Sequence, residues 1–290
     1  MSVVRSVLKT IFNDESNQGQ VIFRLLVSIL FKIYKMLPFR QAFAVKLRSG
    51  AKYFIDPDVP NSAGVVYTRT YEHFAMEVAR NYIVNATTMV DVGAHTGLYS
   101  LQLADIFNKF ILFEPAAETY RVLERNFHLN PHLIMSLHNL ALGDISGEGS
   151  LRKQCSYDGM AAIVPGNGDD VNETLVAIET LDSFCGDIDV GFLKIDVEGY
   201  ELNVLRGATC LLRNNPKILV HVEITKNFDE VLAIFRDLNF GVAYLDQDGS
   251  LVAVSSPESA NIANASFYTE AARGDFWALG PEIKHSIQHL

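Results

Sequence analysis

Several features that would place a protein quickly are scarce in this 290-residue chain. Its three cysteines, Cys155, Cys185 and Cys210, stand far apart with no CxxC spacing. That speaks against a zinc site or a disulfide framework and fits a reducing cytoplasm. No basic run offsets a formal net charge of −10, so a general nucleic-acid binder is not expected. A small anionic ligand is still compatible, because helix N-termini bind anions without net positive charge. Residues 1–10 lack a basic head followed by a clean apolar stretch, so no secretory signal is expected. There is no internal repeat and no low-complexity segment. What is abundant is apolar: 49% of residues are hydrophobic and 20% charged, enough to bury a core and too apolar for general disorder.

The stretch QVIFRLLVSILFKIYKMLPF, residues 20–39, is about as long as a membrane span, but Arg24, Lys32 and Lys35 interrupt it. Three cations in a bilayer centre would be costly. The spacing predicts an amphipathic helix that ends before Pro38 and packs on the domain or on a second copy. Residues 20–37 are thus a candidate homodimer contact or a peripheral membrane contact on an otherwise cytoplasmic protein.

FAVKLRSGAKYFIDP then reads as a hairpin turning at Ser49-Gly50. Beyond it helices alternate with strands: TRTYEHFAMEVARNYIV helical, TMVDV extended, GLYSLQLADIF helical, KFILFE extended, AAETYRVLERNFHLN helical, LIMSLHNLAL extended. A Gly- and Asp-rich stretch, 143–174, breaks this rhythm as an inserted hairpin or loop. The alternation resumes with VGFLKID, GYELNVLRGATCLLRN, KILVHVEI and FDEVLAIFRDL. GVAYLDQDGSLVAV closes it as a hairpin turning at Asp248-Gly249. The pattern predicts an α/β fold, a doubly wound, mostly parallel sheet covered on both faces. Residues 1–60 would form a helical and hairpin extension, 61–255 the main domain and 256–290 a C-terminal tail.

In such sheets ligands bind beyond the strand C-termini, at the switch in strand order. Asp91, Glu114, Asp196 and Glu223 all end predicted strands. In MVDVGAHTGLYS the glycine pattern is incomplete: Gly93 and Gly97 are four apart, and Ala94 and His95 stand where a dinucleotide fingerprint places its second glycine. Close approach by a diphosphate is therefore less comfortable than approach by a phosphate-free ligand. Glu114, about 23 residues after Asp91, is placed to accept both hydroxyls of a ribose. Capping of the helix that Pro115 starts is the plainer role for it. A phosphate-free nucleoside cofactor with cationic groups, S-adenosylmethionine, suits a carboxylate-rich pocket.

These motifs in order, MVDVGAHTGLYS, LFEPAAETYRVLERNFHLN, NLALGD, IETLDSF and FLKIDVEGYELNVLRGA, resemble those of FkbM-type S-adenosylmethionine-dependent methyltransferases across residues 71–245. The resemblance implies a class I, Rossmann-like methyltransferase fold and O-methylation of hydroxyls on saccharides, glycans or secondary metabolites. It implies that Asp91, Gly93, Ala94, His95 and Gly97 shape the methionine side of the cofactor pocket. Glu114, followed by Pro115, would hold the ribose, with Ala141 and Leu142 near the adenine. His95 replaces the asparagine that often follows DVGA in the family.

Asp196 projects from a strand end beside the expected methyl-transfer point and is a candidate for holding the acceptor or polarising its hydroxyl. Glu198 and Glu201 follow it at a helix start, where negative charge is favoured. His221 and Glu223 share one strand face; His221 reads as a satisfied core histidine or a catalytic group, and Glu223 as a lining residue or, paired with Asp196 with or without a divalent metal, a catalytic group that activates the acceptor hydroxyl. No metal ligand is assigned. Tyr71 and Glu72 either close over the cofactor or pack their helix. Two other functions stay open: a non-catalytic cofactor-binding or assembly protein, and a nicotinamide oxidoreductase, which the incomplete glycine pattern disfavours.

Overall fold

In the computed structural model the described residues are 19–39, 41–56, 64–67, 72–83, 88–153, 161–164, 173–185, 187–224, 226–246, 250–254 and 274–286. The chain begins with helix α1 (Val21–Met36), a hairpin of β1 (Phe43–Lys46) and β2 (Lys52–Ile55), and helices α2 (Gly64–Tyr67) and α3 (His73–Tyr82). It then runs through β3 (Thr88–Val92), α4 (Leu98–Gln102), β4 (Lys109–Phe113), α5 (Ala117–His128), β5 (Ile134–His138) and the short β6 (Ala141–Leu142). β7 (Gly147–Lys153), β8 (Ala161–Val164) and β9 (Glu173–Glu179) follow, then α6 (Leu181–Cys185), β10 (Phe192–Ile195), α7 (Glu201–Arg206) and α8 (Thr209–Asn214). The last elements are β11 (Leu219–Ile224), α9 (Phe228–Asp237), β12 (Gly241–Leu245), β13 (Leu251–Ala253) and β14 (Gly274–Leu279).

The main sheet has eight strands in the order β13-β12-β14-β11-β10-β3-β4-β5. The block from β5 to β11 is parallel, and β14 enters antiparallel between β11 and β12. This is the doubly wound, mostly parallel arrangement that alternating strands and helices predict. Strand order reverses between β3 and β10, and in open α/β sheets the carboxyl ends at such a switch are where ligands bind. The near-continuous apolar runs are explained by burial on both faces. Met89, Phe110, Leu112 and Phe192 point into one core; Val90, Ile111, Phe113 and Leu193 point into the other.

One expectation needs revision. Residues 274–279 are not a tail: β14 pairs with β11 over six residues and buries Phe276, Trp277, Ala278 and Leu279. The strand falls outside the strand–helix rhythm because it lies far from the previous strand in sequence and pairs antiparallel. The stretch 143–174 carries the hairpin strands expected at its flanks: β7 and β9 pair antiparallel and, with β6 and β8, form a four-stranded sheet of order β6-β9-β7-β8.

The N-terminal hairpin is tied to the domain. Asn126 accepts from the Phe54 amide at 2.7 Å and donates to the Thr96 carbonyl at 2.8 Å, so one side chain joins β2, α5 and the glycine loop. Asn130 exchanges two further bonds with Lys52, at 2.7 and 2.8 Å. Tyr53 and Ile55 sit in the same core as Met89 and Phe110.

Candidate active site

Parallel register assembles the site. Lys194 on β10 pairs with Asp91 on β3 and with His221 on β11, and His221 pairs with Trp277 on β14. Alternation of side chains puts all four on one face. Below this row lies an apolar one, Met89, Phe192, Leu219 and Leu279, all with at most traces of exposure. Two residues further along each strand, Glu223 pairs with Asp275, and the same register brings Asp196 beside Glu223. A polar layer of Asp91, Lys194 and His221 therefore underlies an acidic rim of Asp196, Glu223 and Asp275.

Lys194 is the hub. Its Nζ lies 3.1 Å from Asp196 Oδ2, 3.9 Å from Asp91 Oδ1 and 5.2 Å from the centre of the Tyr99 ring. Burial disfavours its charge, but Asp196, Asp91 and Glu72 outweigh that and raise its pKa, so it is a permanent cation. Asp91 is fully buried; burial raises its pKa, opposed by Lys194 and by a hydrogen bond from Ser100 Oγ. Its Oδ1 is buried with no hydrogen-bond partner among the described residues. A buried carboxylate oxygen in that condition is suited to a cationic or N–H donor from a ligand.

His221 is 2% exposed and stacks on Trp277 at 4.2 Å. Its Nδ1 is 2.9 Å from Tyr99 Oη, and Nε2 is 3.4 Å from Asp275 Oδ1. The ring is thus held within the sheet's face, one step below the rim. Burial works against the Asp275 charge, yet His221 and then Lys194 prevail and its pKa is lowered. Glu223 behaves oppositely: burial, then the charges of Asp196 and Asp275, push its pKa up to about 8.

The glycine loop forms the other wall. Gly93 and Gly97 adopt left-handed backbone, with φ of 79° and 77°. A Cβ at 93 would lie 1.9 Å from the Asp196 carbonyl oxygen; one at 97 would meet Leu123 and Phe127 of α5. Glycine at 93 lets two strand ends touch, and glycine at 97 lets α4 pack on α5. Ala94 is buried, and its amide, like that of Gly93, donates to the Phe113 carbonyl at 3.0 Å. His95 is itself left-handed, at φ 51°, and its amide donates to Glu114 Oε2 at 2.9 Å. Burial and the Lys194 cation lower the His95 pKa, leaving a neutral ring beside the cluster.

Glu114 Oε1 accepts from the Ala116 amide at 2.9 Å. The carboxylate therefore clamps the loop and starts α5 at once, while each oxygen keeps capacity for another donor. Burial pushes its pKa up to about 7 against those two bonds. Pro115 enters the same turn, and Asn139 donates to the carbonyls of Glu114 and Pro115. Ala141 and Leu142 are buried in β6, paired with Ile178 and Glu179 one turn beyond. Glu201 accepts from the Gly199 amide at 2.7 Å, bracing the turn that precedes its helix, which accounts for its buried position. Glu198 is left-handed, φ 52°, and its charge helps raise the Glu223 pKa.

Lys194, Asp275, Tyr99 and Trp277 join the site without having been singled out in the sequence. A lysine inside the apolar run FLKID was the available signal for the first. Glu72, left-handed at the start of α3, lies within electrostatic reach of His221 and Asp275, while Tyr71 lies outside the described residues. Left-handed non-glycine residues at 72, 95, 198 and 227 mark the loops at this end of the sheet.

A doubly wound sheet with an antiparallel strand beside its last parallel one, a glycine loop and an acidic residue after the second strand define a class I methyltransferase fold. The chain belongs to the family of the methyltransferase FkbM domain, whose model matches residues 91–242, just over half of it. It is 25% identical over 142 residues to Methyltransferase 1 of Beauveria bassiana, a match covering 41% of this chain and 57% of that one. Among solved structures it is similar to methyltransferase FkbM from Methylobacillus flagellatus (TM-score 0.42, 13% identity, 91% of this chain and 61% of that one). It is also similar to TrmK of M. capricolum in complex with S-adenosylhomocysteine (TM-score 0.38, 10% identity, 74% and 72%). The chain thus spans less than two thirds of the first two relatives. The methyl donor of the family is S-adenosylmethionine, and the orphaned oxygen of Asp91, the cation-seeking rim and the spare acceptor capacity of Glu114 fit it.

Proposed function

We propose that the protein transfers the methyl group of S-adenosylmethionine to a hydroxyl oxygen of a saccharide, glycan or secondary metabolite. The observation that carries this reading is the acidic rim of Asp196, Glu223 and Asp275 directly above Lys194 and beside the glycine loop. Asp91 would receive the amino group of the cofactor, the Gly93–Gly97 loop its methionine side and Glu114 its ribose hydroxyls. Ala141 and Leu142 would flank the adenine through the β5–β6 turn.

The cofactor supplies an electrophilic methyl. The protein's part is to hold the acceptor oxygen in line with it, which in well-oriented systems removes about 7–11 kcal/mol of barrier. Glu223, with a pKa near 8, is matched to take the hydroxyl proton as the new C–O bond forms. Asp196, held by Lys194, would accept a hydrogen bond from the acceptor and orient it. His221 is buried and acts through Asp275, so it positions rather than transfers.

Calorimetric titration with S-adenosylmethionine, S-adenosylhomocysteine and NADH, on wild type and Glu114→Ala, tests the cofactor half. Adenosyl ligands should bind wild type and be lost or strongly weakened in the variant. A preference for NADH, or no binding by either adenosyl ligand, would overturn the reading. A screen of hydroxylated acceptors with radiolabelled methyl donor then tests the reaction; cofactor binding with no transfer, unaffected at Asp196 and Glu223, would favour a non-catalytic role.

A further inference from the structure

Helix α1 packs with only one side. Phe31 and Tyr34 face inward and form ring contacts with Phe43 at 6.2 and 5.7 Å. Tyr34 Oη also bonds the Gln41 amide and carbonyl, fixing the chain as it leaves the helix. Among the described residues, twelve large apolar side chains are exposed, and nine of them lie between positions 22 and 39. Helical spacing gathers Ile22, Phe23, Leu26, Leu30, Ile33 and Met36 on one outward arc of about 140°. Met36 is 83% exposed and Phe39, just past the helix, 89%. Scattered surface leucines need no explanation, but a continuous arc of this kind marks a contact surface.

Charge selects the occupant. Residues 17–55 contain seven Lys and Arg and no Asp or Glu, so the remainder of the chain carries a net −17. Behind α1 lies a groove of about 820 Å³, walled by Phe31, Phe43 and Val66 and rimmed by Arg24, Lys46 and Arg48. Glu77, 3.4 Å from Arg48, is the acid at its edge. A second copy docking through the same arc would set one acid-free basic segment beside another, like charge near like charge, which disfavours self-association. No described helix is long and apolar enough to cross a membrane.

We propose that α1 lies in the surface of a membrane rich in anionic phospholipid. Its outward arc enters the acyl boundary, and Arg24, Lys46 and Arg48 meet the phosphate headgroups. Apolar insertion and headgroup attraction together make the two-part signal that stable surface attachment requires. The attachment would hold the catalytic cleft close to a bilayer.

The full-length chain should be sedimented with vesicles of phosphatidylcholine alone or mixed with phosphatidylglycerol. Binding is expected to the anionic vesicles and not the neutral ones, with release at high salt. Lys46→Glu with Arg48→Glu should weaken it by about fivefold or more for each cation removed. Leu26→Glu with Ile33→Glu should abolish it, with an unchanged thermal melt showing that the fold persists. Release of wild type by salt gives an independent check that needs no variant. Equal binding to neutral vesicles, or none to either, would overturn the proposal. So would a dimer in light scattering that the Leu26→Glu, Ile33→Glu pair converts to monomer without any vesicle binding.

Discussion

Gly93 and Asp196 meet backbone to backbone: a methyl group at position 93 would sit 1.9 Å from the Asp196 carbonyl oxygen. The contact joins the ends of β3 and β10 where strand order reverses, so the cofactor loop and the rim carboxylate are set by one close approach. Gly93→Ala would impose both left-handed strain, about 1–2 kcal/mol, and a clash with backbone that cannot rotate away. A loss of about 2 kcal/mol or more is expected, with adenosyl-ligand binding lost as Asp196 shifts. Gly97→Ala should be milder for the same φ, because its Cβ would meet the ends of Leu123 and Phe127 side chains, which can repack. Paired thermal melts and calorimetry on the two variants check the order.

In the proposed reaction Glu223 sets a pH signature. Its pKa of about 8 means the carboxyl is mostly protonated at neutral pH and becomes a competent base above it. The rate with a hydroxyl acceptor should therefore rise with pH and level off above about 8. Glu223→Gln should remove that limb and lower kcat by about 10²–10⁴-fold. Stability runs the other way. The folded state keeps a proton on Glu223 that the unfolded chain releases near its ordinary value of 4.5. Stability contributed by that proton is present below the unfolded value and is lost as pH rises to about 8. Glu114, raised to about 7, adds to the same slope. Denaturant melts between pH 5 and 9 should show a decline that Glu223→Gln makes shallower.

Lys194→Met should be costly although the replacement is similar in length. The ammonium is the strongest influence opposing burial at Asp91, and it also holds Asp196 at 3.1 Å. Removing it leaves a fully buried carboxylate without its cation, a change of about 3–5 kcal/mol when one partner of a buried pair is deleted. Lys194→Met with Asp91→Asn should recover part of that stability, because the uncompensated charge is gone, while cofactor binding stays impaired. Urea melts of the single and double variants measure the recovery.

The sequence made the crevice legible because its main parts sit where strands end. Asp91, Glu114, Asp196 and Glu223 each interrupt an apolar run at the place where a parallel sheet exposes its ligand edge. The glycine loop was equally legible, although the reason for each glycine was not. The close approaches at 93 and 97 are to Asp196 and to α5, contacts across about 100 and 30 residues of sequence. Asp275 and Trp277 stayed hidden because β14 arrives from the far end of the chain and inserts antiparallel. Lys194 was hidden in plain view: inside an apolar strand a lysine looks out of place until register sets it between Asp91 and His221. Tyr99 belongs to a five-residue helix too short to show a face.

Asp275 offers the sharpest separation between a positioning role and a purely structural one. Its carboxylate lies 3.4 Å from His221 Nε2 and pairs across the sheet with Glu223, whose pKa it helps to raise. Asp275→Asn keeps the shape and a hydrogen-bond acceptor but removes the charge. With one fewer negative neighbour, Glu223 should lose its proton more readily, so the pH–rate limb should move down from about 8. The strand itself should hold, since Phe276, Trp277, Ala278 and Leu279 keep their burial, and the melting temperature should change little. A full pH–rate profile of Asp275→Asn beside wild type reads the shift directly. A limb that stays in place would mean that the Asp275 charge does not reach the base, and that the rim acts through Asp196 and Glu223 alone.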